Sequence, residues 1–417
     1  MGWTEDSAQD VIILFGEGVS DPARAATLRQ AGATLRFNYR TISAAAAHIP
    51  SAAAMVLIQQ DPNTVTIIPD RRIQAHVLPT RQQGSRSRVS GSQVIPAGVT
   101  RIGASPGSLP WTGAGVGVAV VDTGIDFSHP DLQPVSPNCF AAFATCQDDN
   151  GHGTHVAGII AARNNTLAVV GVASNATLYA VKVLDARGSG TDSTILAGLD
   201  WIAQNAHSVS PPIQVVNLSL GRPGTLEDNP ALHQMVQALD AAGITQVVSA
   251  GNDPNLEVSQ QIPAGYPEVL AIASMTALKG SNGCRSFNGV IDRDTASWFT
   301  TDGQFDPNSG IGVTISAPGA EKEDISRSCF VQSVGILSTR LGGGTTRMSG
   351  TSMAAPHVSG VVALMWEKAF GQDTPLDLTL IRSAANRVGI APLNSPTRSY
   401  SFDGEREGVL WAPGTLQ

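Results

Sequence analysis

Most of the chain is patterned as near-continuous apolar stretches separated by segments of helical periodicity. The runs at 116–121, 177–183, 215–218, 245–249 and 269–273 are apolar or β-branched almost throughout, as in strands covered on both faces. Stretches 154–163, 193–206 and 229–242 lie between them and predict helices. This alternation predicts an α/β domain over residues 93–417, a largely parallel sheet flanked by helices.

The first 77 residues read differently. Short strands are predicted at 11–15, 34–39, 53–59 and 65–68, with a helix at 21–31 and an Ala-rich helical stretch at 43–47. The pattern is that of a small β-α-β-β-α-β unit, an α+β ferredoxin-like domain over residues 1–77. Residues 78–92 are polar and rich in Gly, Ser and Arg, which predicts an exposed, cleavable linker.

Composition narrows the function classes. A chain of 417 residues that is 42% hydrophobic and 14% charged can bury a large core, and 43 Gly with 25 Pro imply many tight turns. A formal charge of −8 offers no basic footprint for nucleic acid and no polybasic membrane patch. No stretch reaches the roughly 18 apolar residues that span a bilayer. The apolar run at 11–15 follows Glu5, Asp6 and Asp10 rather than basic residues, so it is not read as a signal peptide. A leader removed upstream, and a monomer, are expected.

Four cysteines permit three pairings, of which Cys139–Cys146 with Cys284–Cys329 is favoured. Oxidised pairs would imply an extracellular or periplasmic location, whereas reduced thiols would fit a cytosolic enzyme. Metal binding by these cysteines lacks a supporting Cys-x-x-Cys spacing.

Ligands of a parallel α/β sheet bind beyond the carboxyl ends of its strands, and polar groups at those ends carry the candidate chemistry. Asp122 ends a buried strand in Val121-Asp122-Thr123-Gly124. His152 opens a helix in Asn150-Gly151-His152-Gly153-Thr154-His155, and Ser352 opens another in Gly350-Thr351-Ser352-Met353-Ala354-Ala355-Pro356-His357. Asn252 follows a strand in Ser249-Ala250-Gly251-Asn252-Asp253. Taken singly, Ser352 is a helix cap, Asp122 and Asn252 are turn residues, and His152 is a loop histidine or, with His155, a metal ligand. Taken together they supply a hydroxyl nucleophile, its base, a group orienting that base, and a donor for an oxyanion.

These blocks, in the chain order Asp, His, Ser, resemble the motifs of subtilisin-like serine proteases. The resemblance covers nearly all of residues 93–417. It implies Ser352 as nucleophile, His152 as general base and then acid, Asp122 as its orienting partner, and Asn252 as oxyanion donor. It also implies two substrate walls, Gly188-Ser189-Gly190 and Ser219-Leu220-Gly221, between which a peptide adds as an extended strand. The segment 261–267 would line the main pocket and, lacking acidic or basic residues, would favour apolar side chains broadly, with Asp253 nearby as a complication.

By the same resemblance a structural calcium site would use the side chains of Gln93, Asp131 and Asn165 and the carbonyls of Arg163, Leu167 and Val169, an oxygen-only set. Residues 1–77 resemble the family's inhibitory propeptide by position and strand pattern, which implies a folding template and intramolecular inhibitor released by cleavage between His76 and Ser92. The implied protein is a secreted endopeptidase acting on proteins and peptides. An esterase or acyl transferase using the same triad, and an inactive scaffold with its propeptide retained, are the rival readings.

Overall fold

The structure, a computed structural model, describes residues 8–78, 92–132, 135–385 and 407–417. Its first unit comprises β1 (Gln9–Phe15), α1 (Asp21–Gln30), β2 (Thr34–Asn38), β3 (Ala44–Ile49), α2 (Ala52–Gln60) and β4 (Thr64–Pro69). The strands form an antiparallel sheet in the order β2-β3-β1-β4.

Two of the sequence assignments exchange places in this unit. The Ala-rich stretch expected to be helical is strand β3, and the stretch at 53–59 expected to be a strand lies in helix α2. Packing explains both. β3 is covered on its two faces: Ala44 and Ala46 enter the core shared with the large domain, while Ala45 and Ala47 pack in the core under α1 and α2. Small side chains suit a strand pressed from both sides. In α2 the Ser51 hydroxyl caps the Ala54 N–H at 3.2 Å, and Ala54, Met55 and Ile58 form one buried stripe.

Beyond this unit come β5 (Arg72–Ala75), α3 (Ala97–Arg101), β6 (Gly117–Asp122), β7 (Phe140–Ala141), α4 (His152–Ala161), β8 (Thr177–Lys182), β9 (Ser189–Thr191) and α5 (Asp192–Asn205). Next follow β10 (Ile213–Leu218), β11 (Leu220–Pro223), α6 (Pro230–Ala241), β12 (Thr245–Ser249), β13 (Gln261–Ile262), β14 (Leu270–Thr276) and β15 (Ile315–Ala320). A hairpin, β16 (Lys322–Ile325) with β17 (Val331–Val334), precedes the long helix α7 (Thr351–Gln372).

Seven strands form one parallel sheet in the order β15-β14-β12-β10-β6-β8-β7. Helices α4 and α7 pack in the core on one face, and α5 and α6 in the core on the other. From β6 the chain passes to β8 on one side and then to β10 on the other, so the strand order reverses beside β6, where a ligand crevice opens.

The N-terminal sheet rests on α5. The Tyr39 hydroxyl donates to the Ser193 carbonyl at 3.0 Å, and the Arg40 and Thr41 N–H groups donate to the Asp200 carboxylate at 3.0 and 2.8 Å. Disulfides join Cys139 to Cys146 and Cys284 to Cys329, the favoured pairing. No helix among the described residues is long and apolar enough to cross a membrane.

Candidate active site

Asp122 lies at the C-terminal end of β6 and is fully buried. Its carboxylate faces His152, whose Nδ1 lies 2.8 and 2.9 Å from the two oxygens. The approach is close because position 153 is glycine: a Cβ there would collide with the Gly124 carbonyl and lie 3.2 Å from the Asp122 side chain. His152 Nε2 is buried with no hydrogen-bond partner among the described residues, free to receive a proton.

His152 is held in place by Asp148, which the sequence reading missed. One Asp148 oxygen accepts the Thr123 hydroxyl and the Asn150 and Gly151 N–H groups at 2.9 Å each. The other accepts the N–H and hydroxyl of Thr154 at 3.0 and 2.6 Å. The carboxylate thus ties the Asp122 loop to the first turn of α4. An Asp a few residues before a Gly-rich helix start was the available signal. The metal alternative for His152 and His155 finds no common point, since His155 Nε2 pairs with the Ile336 carbonyl at 3.0 Å.

Ser352 sits in the first turn of α7, where the helix N–H groups are unpaired within the helix and its dipole is positive. Its hydroxyl donates to the Ser219 carbonyl at 2.9 Å, so the expected nucleophile is turned toward the 219–221 segment rather than toward His152. Asn252 is oriented by Thr351, whose N–H and hydroxyl both donate to Asn252 Oδ1 at 2.9 Å. That arrangement leaves Asn252 Nδ2 a buried donor with no partner among the described residues.

Strand β5 fills the crevice. It pairs antiparallel with β9 on one side, Gln74 opposite Ser189, and with β11 on the other, Ala75 opposite Leu220. Beyond the strand, the His76 N–H donates to the Ser219 carbonyl at 3.2 Å, and the Ser352 N–H donates to the His76 carbonyl at 3.2 Å. The Leu78 N–H then donates to the Ser349 carbonyl at 2.9 Å. The peptide between His76 and Val77 is therefore clamped over the start of α7. A side chain at Gly350 would strike the His76 carbonyl and sit 3.1 Å from Asn252 Nδ2, so those two groups border one small space.

Both expected substrate walls, 188–190 and 219–221, thus flank an extended segment of this same chain. Segment 261–267 borders the wall through β13, which pairs with β11. Sequence reading also missed two contacts of this segment. The Asp70 carboxylate accepts the N–H and hydroxyl of Ser193 at 2.8 and 2.6 Å in the first turn of α5, and Ser249 Oγ lies 2.8 Å from His76 Nδ1.

Five of the six expected calcium ligands meet at the Gln93 amide, and Asp131 lies one contact away, through the Asn165 amide and the Val169 N–H. Gln93 Nε2 lies 2.6 Å from the Arg163 carbonyl, 2.9 Å from that of Val169, 3.3 Å from that of Leu167 and 3.4 Å from Asn165 Oδ1. The Asn165 amide donates to Asp131 at 2.9 Å. Four oxygens thus converge on the Gln93 amide N–H, and with the Gln93 and Asp131 side-chain oxygens they are the hard donor type that a calcium ion would take. Linker residues 79–91 lie outside the described residues.

The Subtilase family matches residues 113–399. Subtilisin NAT of Bacillus subtilis subsp. natto is 34% identical over 346 residues, covering 82% of this chain and 75% of that protein. Subtilisin DY of Bacillus licheniformis is 36% identical over 281 residues, 66% of this chain and 86% of that protein. Among solved structures, a cold-adapted subtilisin-like serine proteinase is 32% identical with a TM-score of 0.54, covering 73% of this chain and 90% of that one. Fervidolysin from Fervidobacterium pennivorans, described as a keratinolytic enzyme related to subtilisin, shares the fold at TM-score 0.69 and 22% identity; the match covers this whole chain and 62% of that one.

Proposed function

Because the chain belongs to the subtilase family and is a subtilisin-like serine protease, we propose that it is the pro-form of a secreted endopeptidase whose own N-terminal segment occupies the active site. The observation that carries this reading is the peptide after His76, hydrogen-bonded through its carbonyl to the Ser352 N–H with the Asp122–His152 pair alongside. In this reading residues 1–76 are the inhibitor and folding template, and the bond cut in maturation is His76–Val77.

The chemistry follows from the groups assembled. Ser352 Oγ leaves the Ser219 carbonyl, gives its proton to His152 Nε2 and attacks the His76 carbonyl carbon. Asp122 holds the ring by Nδ1–H and stabilises the imidazolium. The tetrahedral oxyanion gathers bonds from the Ser352 N–H and Asn252 Nδ2, donors already fixed in place. His152 then delivers its proton to the Val77 nitrogen, the C–N bond breaks, and water hydrolyses the acyl-Ser352 ester by the same base. Other proteins and peptides enter the same track once residues 1–76 leave.

The convergence of carbonyl and amide oxygens supports a structural calcium ion held by Gln93, Asp131, Asn165 and the carbonyls of Arg163, Leu167 and Val169. Such an ion would fix the loop that follows α4. The two disulfides support maturation in an oxidising compartment, consistent with secretion.

A fluorophosphonate probe tests the assignment. It should label the matured wild type and leave Ser352→Ala unlabelled, with casein hydrolysis following the same pattern. Labelling that survives Ser352→Ala, or hydrolysis without it, contradicts the reading.

A further inference from the structure

The side chain delivered to the main pocket is an imidazole, and the pocket answers it with a hydroxyl. His76 Nδ1 lies 2.8 Å from Ser249 Oγ, at the end of β12. Ser249 is fully buried, and its other neighbour, the Leu218 carbonyl, is more distant at 3.4 Å. A strand-end hydroxyl serving only the neighbouring strand would favour that carbonyl; this one is closer to the ring.

The opposite wall is cut to the same ring. A Cβ at Gly221 would lie 2.5 Å from His76 Cε1 and 2.9 Å from Nε2, so the glycine leaves the imidazole its room. Burial together with the neighbouring His152 pushes the His76 pKa down to about 4, so the ring is held neutral. A neutral imidazole keeps one ring N–H and one lone pair, and either can meet a hydroxyl, which both donates and accepts.

We propose that Ser249 is a specificity-determining residue of the main pocket, and that the enzyme favours cleavage after histidine, read through a hydrogen bond between the imidazole and Ser249 Oγ. This rests on the endopeptidase reading above and deepens it. Uncharged apolar side chains still enter, since 261–267 brings no charge, but they leave the buried hydroxyl only its longer contact with the Leu218 carbonyl. A site built to hydrogen-bond a side chain discriminates against one that cannot return the bond.

The test uses enzyme matured from the full chain and the capped p-nitroanilides of Ile-Gln-Ala-His and Ile-Gln-Ala-Leu, which copy residues 73–76 and its apolar counterpart. At pH 8 the wild type should hydrolyse the histidine peptide with a higher kcat/KM than the leucine peptide. In Ser249→Ala the His-to-Leu ratio should fall about tenfold, the loss of one hydrogen bond. Because it is a ratio, a smaller folded fraction does not alter it. If the variant yields no enzyme, the wild-type ratio decides alone: a kcat/KM for the leucine peptide equal to or above that for the histidine peptide overturns the proposal. An unchanged ratio in Ser249→Ala overturns the pocket assignment only, whereas failure to cleave any peptide overturns the endopeptidase reading with it.

Discussion

The carbonyl oxygen of His76 accepts a hydrogen bond from the backbone N–H of Ser352 at 3.2 Å. One residue belongs to the N-terminal segment and the other heads α7, so this single contact joins the two halves of the molecule at the point where the chemistry would occur. The remaining contacts of 70–78 with β9, β11 and α5 fix that segment in register.

Asn252→Ala should lower kcat on the order of 100–1000-fold with little change in KM, because its Nδ2 meets charge that develops only in the transition state. Steady-state kinetics on a soluble peptide checks this. A rise in KM at constant kcat would instead make Asn252 a ground-state contact.

Asp70→Ala should release the cleaved segment sooner. The substitution removes two charge-assisted hydrogen bonds to Ser193 at the positive end of α5. Following the onset of peptide hydrolysis after maturation of the full chain, activity should emerge about tenfold or more earlier than in wild type.

Removing calcium should destabilise the protein. In Ser352→Ala, which cannot digest itself, saturating calcium should raise the melting temperature by about 3 °C over chelated protein, as expected for a ligand about 100-fold above its Kd. Asp131→Asn should shrink that difference. Equal melting temperatures with and without chelator would contradict the site.

Stability should fall on both sides of a maximum between about pH 6 and 7. Burial pushes His155 down to about 3 and His357 and His76 to about 4, below the ordinary 6.5. Their stabilising contribution is complete above about pH 6.5 and is lost as pH falls toward those values. Burial raises Glu323, in β16, from 4.5 to about 8. Its contribution is complete below about pH 4.5 and is lost as pH rises through about 8. Glu323 accepts the Trp298 N–H at 3.2 Å and the Ser333 hydroxyl at 3.0 Å, bonds that an amide oxygen retains. Melting curves of Glu323→Gln in the Ser352→Ala background should therefore lose the alkaline decline and keep the acidic one.

The sequence made the large sheet legible because parallel strands buried on both faces leave unbroken apolar runs, and Asp122, His152, Ser352 and Asn252 stood at the ends of elements so marked. It misled at 43–59. An all-Ala strand has no branched side chains to announce it, and only the two layers pressing on Ala44, Ala45, Ala46 and Ala47 make it a strand. Asp70 and Ser249 were invisible for another reason. Each acts on a residue that the fold brings near, Ser193 across the interface and His76 across the pocket, and no spacing in the chain encodes those meetings.

Self-cleavage between His76 and Val77 is read most plainly from the intact mass of the purified full chain. The wild type should give a fragment beginning at Val77 or, after further trimming, within the linker, together with a partner fragment ending at His76, and Ser352→Ala should give an uncut chain. A wild-type chain that stays whole, or a Ser352→Ala chain cut at the same bond, would contradict it.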